Sequence, residues 1–375
     1  MNFISPLDDA LRSAAVDLAL QTPCLVIDGP ALRRNIQRMA EAASGAGVRL
    51  RPHAKTHKCI EIAKLQLQAG AAGIACATVS EMESLAEGGV TGLLLTAPTA
   101  GADAADRLAR LNESQPISVV CDHIRQVELL SNAQAGRSRS LQVLVDIDVG
   151  QARTGVTSTE DVVRLAGLIA ARPGLTFAGI QGFGGHVQHK ADLEARMEGA
   201  AAVRHMLAEA VAALATAGLP CPVVTGSGTG TAFFDMEGPF TELQVGSYLF
   251  MDADYAALEY TPANLPFETA LFVAADVVSV NRPGQVTVNA GTKAFAFNGP
   301  PPHRILGTPA GSSYRFAGDE HGAIDLPAAQ PAPELGTRLL ISATHCDPTV
   351  NLHGSYTVIG EDGTAEIWPV TGRYR

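Results

Sequence analysis

From residue 23 to about residue 250, short β-branched, apolar runs alternate with Ala- and Leu-rich stretches of helical period, and this alternation constrains the fold more than any other feature. The runs are CLVID (24–28), VRLRPHAK (48–55), GIACAT (73–78), GLLLTA (92–97), ISVVCD (117–122), QVLVDIDV (142–149), TFAGIQGF (176–183), CPVVTG (221–226) and ELQVG (242–246). Such alternation marks parallel βαβ units, because a parallel strand pair needs a long crossover and a helix supplies it. One of the intervening stretches, residues 191–218, repeats its apolar positions at helical spacing and stops at Gly218 and Pro220. Nine strand signals are one more than an eight-stranded barrel uses. Periodicity alone does not separate a closed barrel from an open doubly wound sheet, although no GxGxxG follows the first strand, which counts against a dinucleotide-binding version.

After about residue 265 the texture changes to strands without intervening helices: ALFVAADVVSV, QVTVNAG, TRLLISA, and the pair SYTVIG and TAEIWPV joined by Glu361-Asp362-Gly363. The Asp-Gly pair predicts a hairpin turn, and the proline-rich LPAAQPAPELG (326–336) predicts an exposed loop of this second, all-β region. A net charge of −11 argues against a nucleic-acid partner, which needs a basic face. The first twenty residues show no apolar stretch of the length a secretion signal or membrane span requires, so the expectation is a cytoplasmic protein with no membrane partner. Its six cysteines lack CxxC spacing and read as thiols rather than disulfides.

Polar groups gather where the strands end, and in an α/β barrel those ends form the active-site face. Lys55, one of only five lysines, stands between His53 and His57 in RPHAKTHK. A lysine there either points into a barrel mouth, where desolvation and nearby cations make its amine a nucleophile, or simply opens the next helix. TGSGTGT (225–231) brings small residues and the hydroxyls of Ser227, Thr229 and Thr231 together after a strand, as a phosphate cradle or as an ordinary turn. Arg153 in DIDVGQARTGV suits an anionic oxygen or a salt bridge. In GFGGHVQH, one of His186 and His189 has the chemistry of a general base, and the other can cap a loop. In THCDPTVNLH (344–353), His345 and Asp347 alternate along what reads as an extended segment and so face one side, offering an imidazole and a carboxylate to Mn²⁺ or Mg²⁺, with Cys346 pointing away.

Taken in order, RPHAKTHK, the Arg in DxGxxRxGV, GxxGxxQH, SGTGT, ELQVGSYLFMDADY, DEHG and HCDPTVNLH resemble the fold-type III pyridoxal-5′-phosphate (PLP) family of D-threonine aldolase, 3-hydroxy-D-aspartate aldolase and D-serine dehydratase, which is alanine racemase-like. The resemblance runs from about Thr22 to the C-terminus. It implies a (β/α)8 TIM barrel over residues 25–262 and a mostly antiparallel β domain made of residues 1–24 and 263–375, with CLVID leading in from that domain. It implies that Lys55 carries PLP, that Arg153 faces the phenolic oxygen of the cofactor, and that Ser227, Gly228, Thr229, Gly246 and Ser247 surround its phosphate. His189 becomes the base for the substrate's β-hydroxyl, and His345 and Asp347 become ligands of a divalent metal.

The His-x-Asp form matches the aldolases of the family, whereas its dehydratases carry His-x-Cys. The activity so implied is cleavage of D-3-hydroxy amino acids, of the D-threonine or 3-hydroxy-D-aspartate type, to glycine and an aldehyde by a homodimer. A dehydratase of D-serine or 3-hydroxy-D-aspartate on the same scaffold, and a non-catalytic PLP-binding protein, are the alternatives. A racemase would want a tyrosine base from the second domain, and no convincing candidate stands there. One departure is Phe183, where relatives often carry tyrosine in GIQAY.

Overall fold

In the computed structural model, residues 6–18, 20–261, 264 and 266–373 are described. The chain forms two compact units, one of Gln37–Gly246 and one of Met1–Ile36 with Ser247–Arg373. The expected boundary between residues 262 and 263 falls outside the described residues.

The strands, in chain order, are β1 (Cys24–Asp28), β2 (Arg49–Leu50), β3 (Ile74–Cys76), β4 (Leu93–Leu95), β5 (Ile117–Cys121), β6 (Leu141–Asp146), β7 (Leu175–Gly182), β8 (Val223–Gly226), β9 (Glu242–Leu243), β10 (Leu271–Arg282), β11 (Gln285–Val288), β12 (Ile305–Leu306), β13 (Ser313–Phe316), β14 (Gly322–Asp325), β15 (Arg338–Ser342), β16 (Ser355–Ile359) and β17 (Ala365–Pro369).

The unit of residues 37–246 is built on eight parallel strands in the order β2-β9-β8-β7-β6-β5-β4-β3. A parallel bridge between His53 and Ala75 joins the two ends of that order, so the sheet closes on itself as a (β/α)8 barrel. Strands buried on both faces read as continuous apolar runs, and β3 and β4 are buried at every residue. Leu94, Val120, Leu144 and Ala178, from four neighbouring strands, pack as one cluster with Val223 against it. Burying each of the larger of these side chains is worth roughly 1.5–3 kcal/mol. The predicted helix over 191–218 forms at Leu193–Thr216, with the Asp192 side chain accepting from Ala195 N at its start. Gly218, just past its end, adopts φ +71°, a left-handed conformation that helix termini commonly use.

The other unit carries a sheet ordered β13-β14-β11-β10-β1-β16-β17, with β15 pairing β10 and β12. The ninth strand signal is resolved here: CLVID is β1, antiparallel to β10 and parallel to β16. The remaining pairs are antiparallel, including the predicted β16–β17 hairpin, whose turn is tied by Gly363 N to Gly360 O at 3.1 Å. The proline-rich 326–336 stretch is a loop, as expected. A helix at Pro6–Asp17 lays Leu11 and Ala15 against Val26, Phe272, Leu306 and Leu340. That helix and the strands β12–β14 were not legible in the sequence. The three strands are two to four residues long, too short to display an alternating pattern.

Candidate functional site

Lys55 lies in a single 3₁₀ turn, Ala54–Thr56, directly after β2. His53, buried, fixes that turn. Its Nδ1 accepts from Lys55 N at 3.3 Å, and its Nε2 meets Thr96 Oγ1, just past the end of β4, at 3.0 Å. The neighbouring lysines are placed for other work. Lys58 Nζ lies 3.4 Å from the fully buried Glu81 carboxylate, and Lys64 is exposed on the following helix. Burial pushes the Glu81 carboxyl up, against the pull of Lys58. Of the lysines in this motif, Lys55 alone sits half-buried in the turn that ends the strand.

Arg153 stands in the loop after β6. Asp148 Oδ1 accepts from Gly150 N and Ala152 N, and Asp122 Oδ2 accepts from Gly155 N, so acidic side chains hold the loop backbone on both sides of the arginine. The exposed guanidinium lies 5.6 Å from the Phe183 ring centroid, in cation–π range, an arrangement that uses the phenylalanine's face and needs no hydroxyl. Beneath the loop, Asp146 at the end of β6 accepts from Thr154 Oγ1 at 2.7 Å and from Gln181 Nε2 at 2.8 Å. Gln181 Oε1 in turn accepts from Gln244 Nε2 at 3.0 Å, which also bonds Thr225. Burial lifts the Asp146 carboxyl to about 6, partly offset by the two hydrogen bonds.

The segment after β8 is built by contacts from the β7 loop. Ser227 has φ +68°, an uncommon conformation for a residue with a side chain, and Ser227, Thr229 and Thr231 are all buried. Gln188 bridges the two loops, accepting from Gly230 N at 3.1 Å and donating to Thr231 Oγ1 at 3.0 Å. Gly230 is required there, because a Cβ would collide with the Gln188 carbonyl. Arg196, 1% exposed, spends its guanidinium on the carbonyls of Gly230, Lys190 and Ala191. His189 follows Gln188 at the end of the short helix Gly185–Gln188, exposed like His186. The barrel unit thus gathers Lys55, Arg153, His189, Ser227, Gly228, Thr229 and Gly246 just beyond the C-terminal ends of its strands.

Ser247, His345 and Asp347 belong to the other unit. Ser247, buried, opens the 3₁₀ turn Ser247–Leu249 and accepts from Phe250 N and Met251 N through its carbonyl. The expectation of an extended segment at His345–Asp347 is overturned. His345 is extended, but Cys346–Val350 is a short helix, so the argument that alternation puts the two side chains on one face lapses. The cause is Asp252, whose Oδ2 accepts from Cys346 N at 2.8 Å and so caps the helix. Pro348 in the first turn is tolerated because its missing N–H would have no helical partner there. The same Oδ2 lies 2.9 Å from His345 Nδ1. Tyr255 is buried nearby, its phenol pushed up by burial and by the carboxylates of Asp252 and Asp347. His303 is held between Thr269 Oγ1 and Ser342 Oγ, each at 3.2 Å, and burial lowers it to about 4.

Comparison with known proteins places this geometry. The model of the alanine racemase N-terminal domain matches residues 27–254, and that of a putative serine dehydratase domain matches residues 270–359. The chain is 38% identical over 355 residues to a D-threonine aldolase of an Arthrobacter species, covering 94% of this chain and 93% of the relative. The chain belongs to the fold-type III PLP family of D-threonine aldolase, 3-hydroxy-D-aspartate aldolase and D-serine dehydratase. A second family member, 3-hydroxy-D-aspartate aldolase of Paracoccus denitrificans strain Pd 1222, is 37% identical over 361 residues, 94% of this chain and 92% of the relative. The crystal structure of D-threonine aldolase from Filomicrobium marinum superposes with a TM-score of 0.90 at 40% identity, over 94% of this chain and 96% of that one.

The residues fit the family's cofactor. Thr56 Oγ1 is buried without a hydrogen-bond partner, and it is the atom that a Cβ on Gly246 would press upon. A hydroxyl left unsatisfied beside a glycine, together with the buried Ser227 and Thr229, is the donor set a phosphate calls for. The metal pair fits by donor chemistry, one imidazole with its Nδ1 engaged and one carboxylate. Among the described residues, no cluster of three or more His, Cys, Asp or Glu side chains could hold a metal. Sequence reasoning missed Asp146, Arg196 and Asp252. Asp252 lay within the ELQVGSYLFMDADY motif, whereas Arg196 is a lone arginine inside an amphipathic helix and carried no signal.

Proposed function

We propose that this protein is a PLP- and divalent-metal-dependent aldolase that cleaves D-3-hydroxy amino acids, of the D-threonine or 3-hydroxy-D-aspartate type, to glycine and an aldehyde. The observation that carries the reading is Lys55, half-buried in the 3₁₀ turn that closes the first barrel strand and held there by the His53 ring accepting from its backbone N–H. Lys55 holds the cofactor, Arg153 faces its phenolic oxygen, and Ser227, Gly228, Thr229, Gly246 and Ser247 take its phosphate. Bound PLP supplies an electron sink for the bond broken at Cα, and a divalent cation, Mn²⁺ or Mg²⁺, held by His345 and Asp347, supplies Lewis acidity to the β-hydroxyl. His189 takes the proton from that hydroxyl, and the loops joined by Gln188 and Arg196 keep the base beside the phosphate segment.

We further infer a cytoplasmic homodimer. The free state of Cys24, Cys59, Cys76, Cys121, Cys221 and Cys346 supports a reducing compartment, and the alanine racemase-like fold supports the dimer. Among the described residues no helix is long and apolar enough to cross a membrane.

A second reading, a dehydratase on the same scaffold, draws on the match of residues 270–359 to a putative serine dehydratase domain. The products separate the two. D-Threonine and both 3-hydroxy-D-aspartate diastereomers, assayed with and without chelator, are expected to yield glycine and an aldehyde. Ammonia and a keto acid would establish the dehydratase.

A further inference from the structure

The Asp252 side chain is 0% exposed, and a carboxylate buried to that degree is costly unless donors surround it. Three groups face it. Asp252 Oδ1 accepts from Tyr255 N at 3.0 Å, and Oδ2 accepts from Cys346 N at 2.8 Å and stands 2.9 Å from His345 Nδ1. Two backbone bonds, Ala253 N to Ala343 O at 3.0 Å and Asp254 N to Thr344 O at 3.3 Å, zip the segments on which these groups ride. A helix cap alone would use one oxygen and one backbone N–H. The third group is a ring nitrogen at hydrogen-bond distance, and an imidazole whose Nδ1 proton is held by a carboxylate presents Nε2 as its lone-pair face.

We propose that Asp252 is a positioning residue that fixes the ring orientation and the Nδ1–H tautomer of His345, so that Nε2 is presented to the divalent cation. This rests on the reading of His345 as a metal ligand. Asp252→Asn is the informative substitution. Asparagine removes the charge that holds the Nδ1 proton, and its amide nitrogen, turned to either side, sets a donor against Nδ1 and Cys346 N or against Tyr255 N, so the hold on the Nδ1–H tautomer weakens.

The test uses the full-length holoenzyme. Titration with Mn²⁺, followed by the electron paramagnetic resonance of the free ion, is expected to show binding to the parent protein and a 10–100-fold weaker affinity in Asp252→Asn, the usual worth of an outer-shell partner (~10–100-fold). PLP absorption is expected to stay unchanged. In parallel, ¹⁵N correlation spectra of the metal-free parent protein, with the His345 signal assigned by its loss in His345→Gln, are expected to show the Nδ1–H tautomer. A structural cap alone would not set that signature. Mn²⁺ affinity equal in parent and Asp252→Asn would overturn the role of Asp252 while leaving the metal reading intact. No Mn²⁺ binding by the parent protein would overturn the metal reading itself. Should Asp252→Asn fail to fold, the ring tautomer of the parent protein decides alone, and an Nε2–H ring overturns the proposal.

Discussion

Gln188 Oε1 accepts a hydrogen bond from Gly230 N at 3.1 Å, while the amide of the same side chain donates to Thr231 Oγ1 at 3.0 Å. One side chain therefore ties the loop that ends at His189 to the segment assigned to the phosphate. Gln188→Ala removes both bonds, each worth about 0.5–1.5 kcal/mol, and is expected to weaken PLP binding by about tenfold. Titrating the apo-protein with PLP by fluorescence checks this, and unchanged affinity would detach Gln188 from the cofactor site.

His189 and His186 are both exposed, three residues apart, and only one is assigned a proton to move. His189→Asn is expected to retain PLP absorption and Mn²⁺ affinity while retro-aldol turnover falls by roughly 10²–10⁴-fold, the worth of a positioned general base. His186→Asn is expected to cost much less. If His186→Asn abolishes cleavage and His189→Asn does not, the two roles are exchanged.

Asp146 links acidity to stability. Its carboxyl is raised to about 6 by burial, so the folded state holds the proton more tightly than the unfolded chain does. The stabilisation is complete below the unfolded carboxyl's range and is lost as pH rises through about 6, a difference of about 3 kcal/mol. Asp146→Asn keeps an acceptor for Gln181 and removes the charge. Urea unfolding is expected to show the variant more stable than the parent protein by up to about 3 kcal/mol at about pH 7.5, with the gap closing near about pH 4. A gap of equal size at both pH values would place the proton elsewhere.

The βαβ alternation was legible because its signal is local, whereas closure of the sheet into a barrel was implied only by the family resemblance, since it depends on a bridge between strands at the two ends of the order. Each strand is an apolar run read within a few residues, and Lys55 was found because it sits where such a run ends. What stayed hidden depends on partners distant in sequence. The turn of Cys346–Val350 into a helix is decided by a carboxylate 94 residues earlier, and HCDPT by itself alternates like a strand. Arg196 reads as one more polar position on a helix until the carbonyls it collects are seen. Phe183, a departure from the family pattern, gained a role only with Arg153 above its ring.

Metal removal tests the His345–Asp347 pair. Exhaustive chelation is expected to abolish turnover, Mn²⁺ is expected to restore it, and PLP absorption is expected to persist throughout. Asp347→Ala is expected to resist rescue by Mn²⁺ at concentrations that restore the parent protein. Full activity of Asp347→Ala after chelation would remove the metal from the account.

The account stands on Lys55, and reductive trapping reads that residue directly. The purified protein is expected to be yellow, and borohydride followed by peptide mapping is expected to leave the reduced pyridoxyl group on Lys55. Recovery of the group on Lys58 or Lys64, or on no lysine of the barrel, would contradict it.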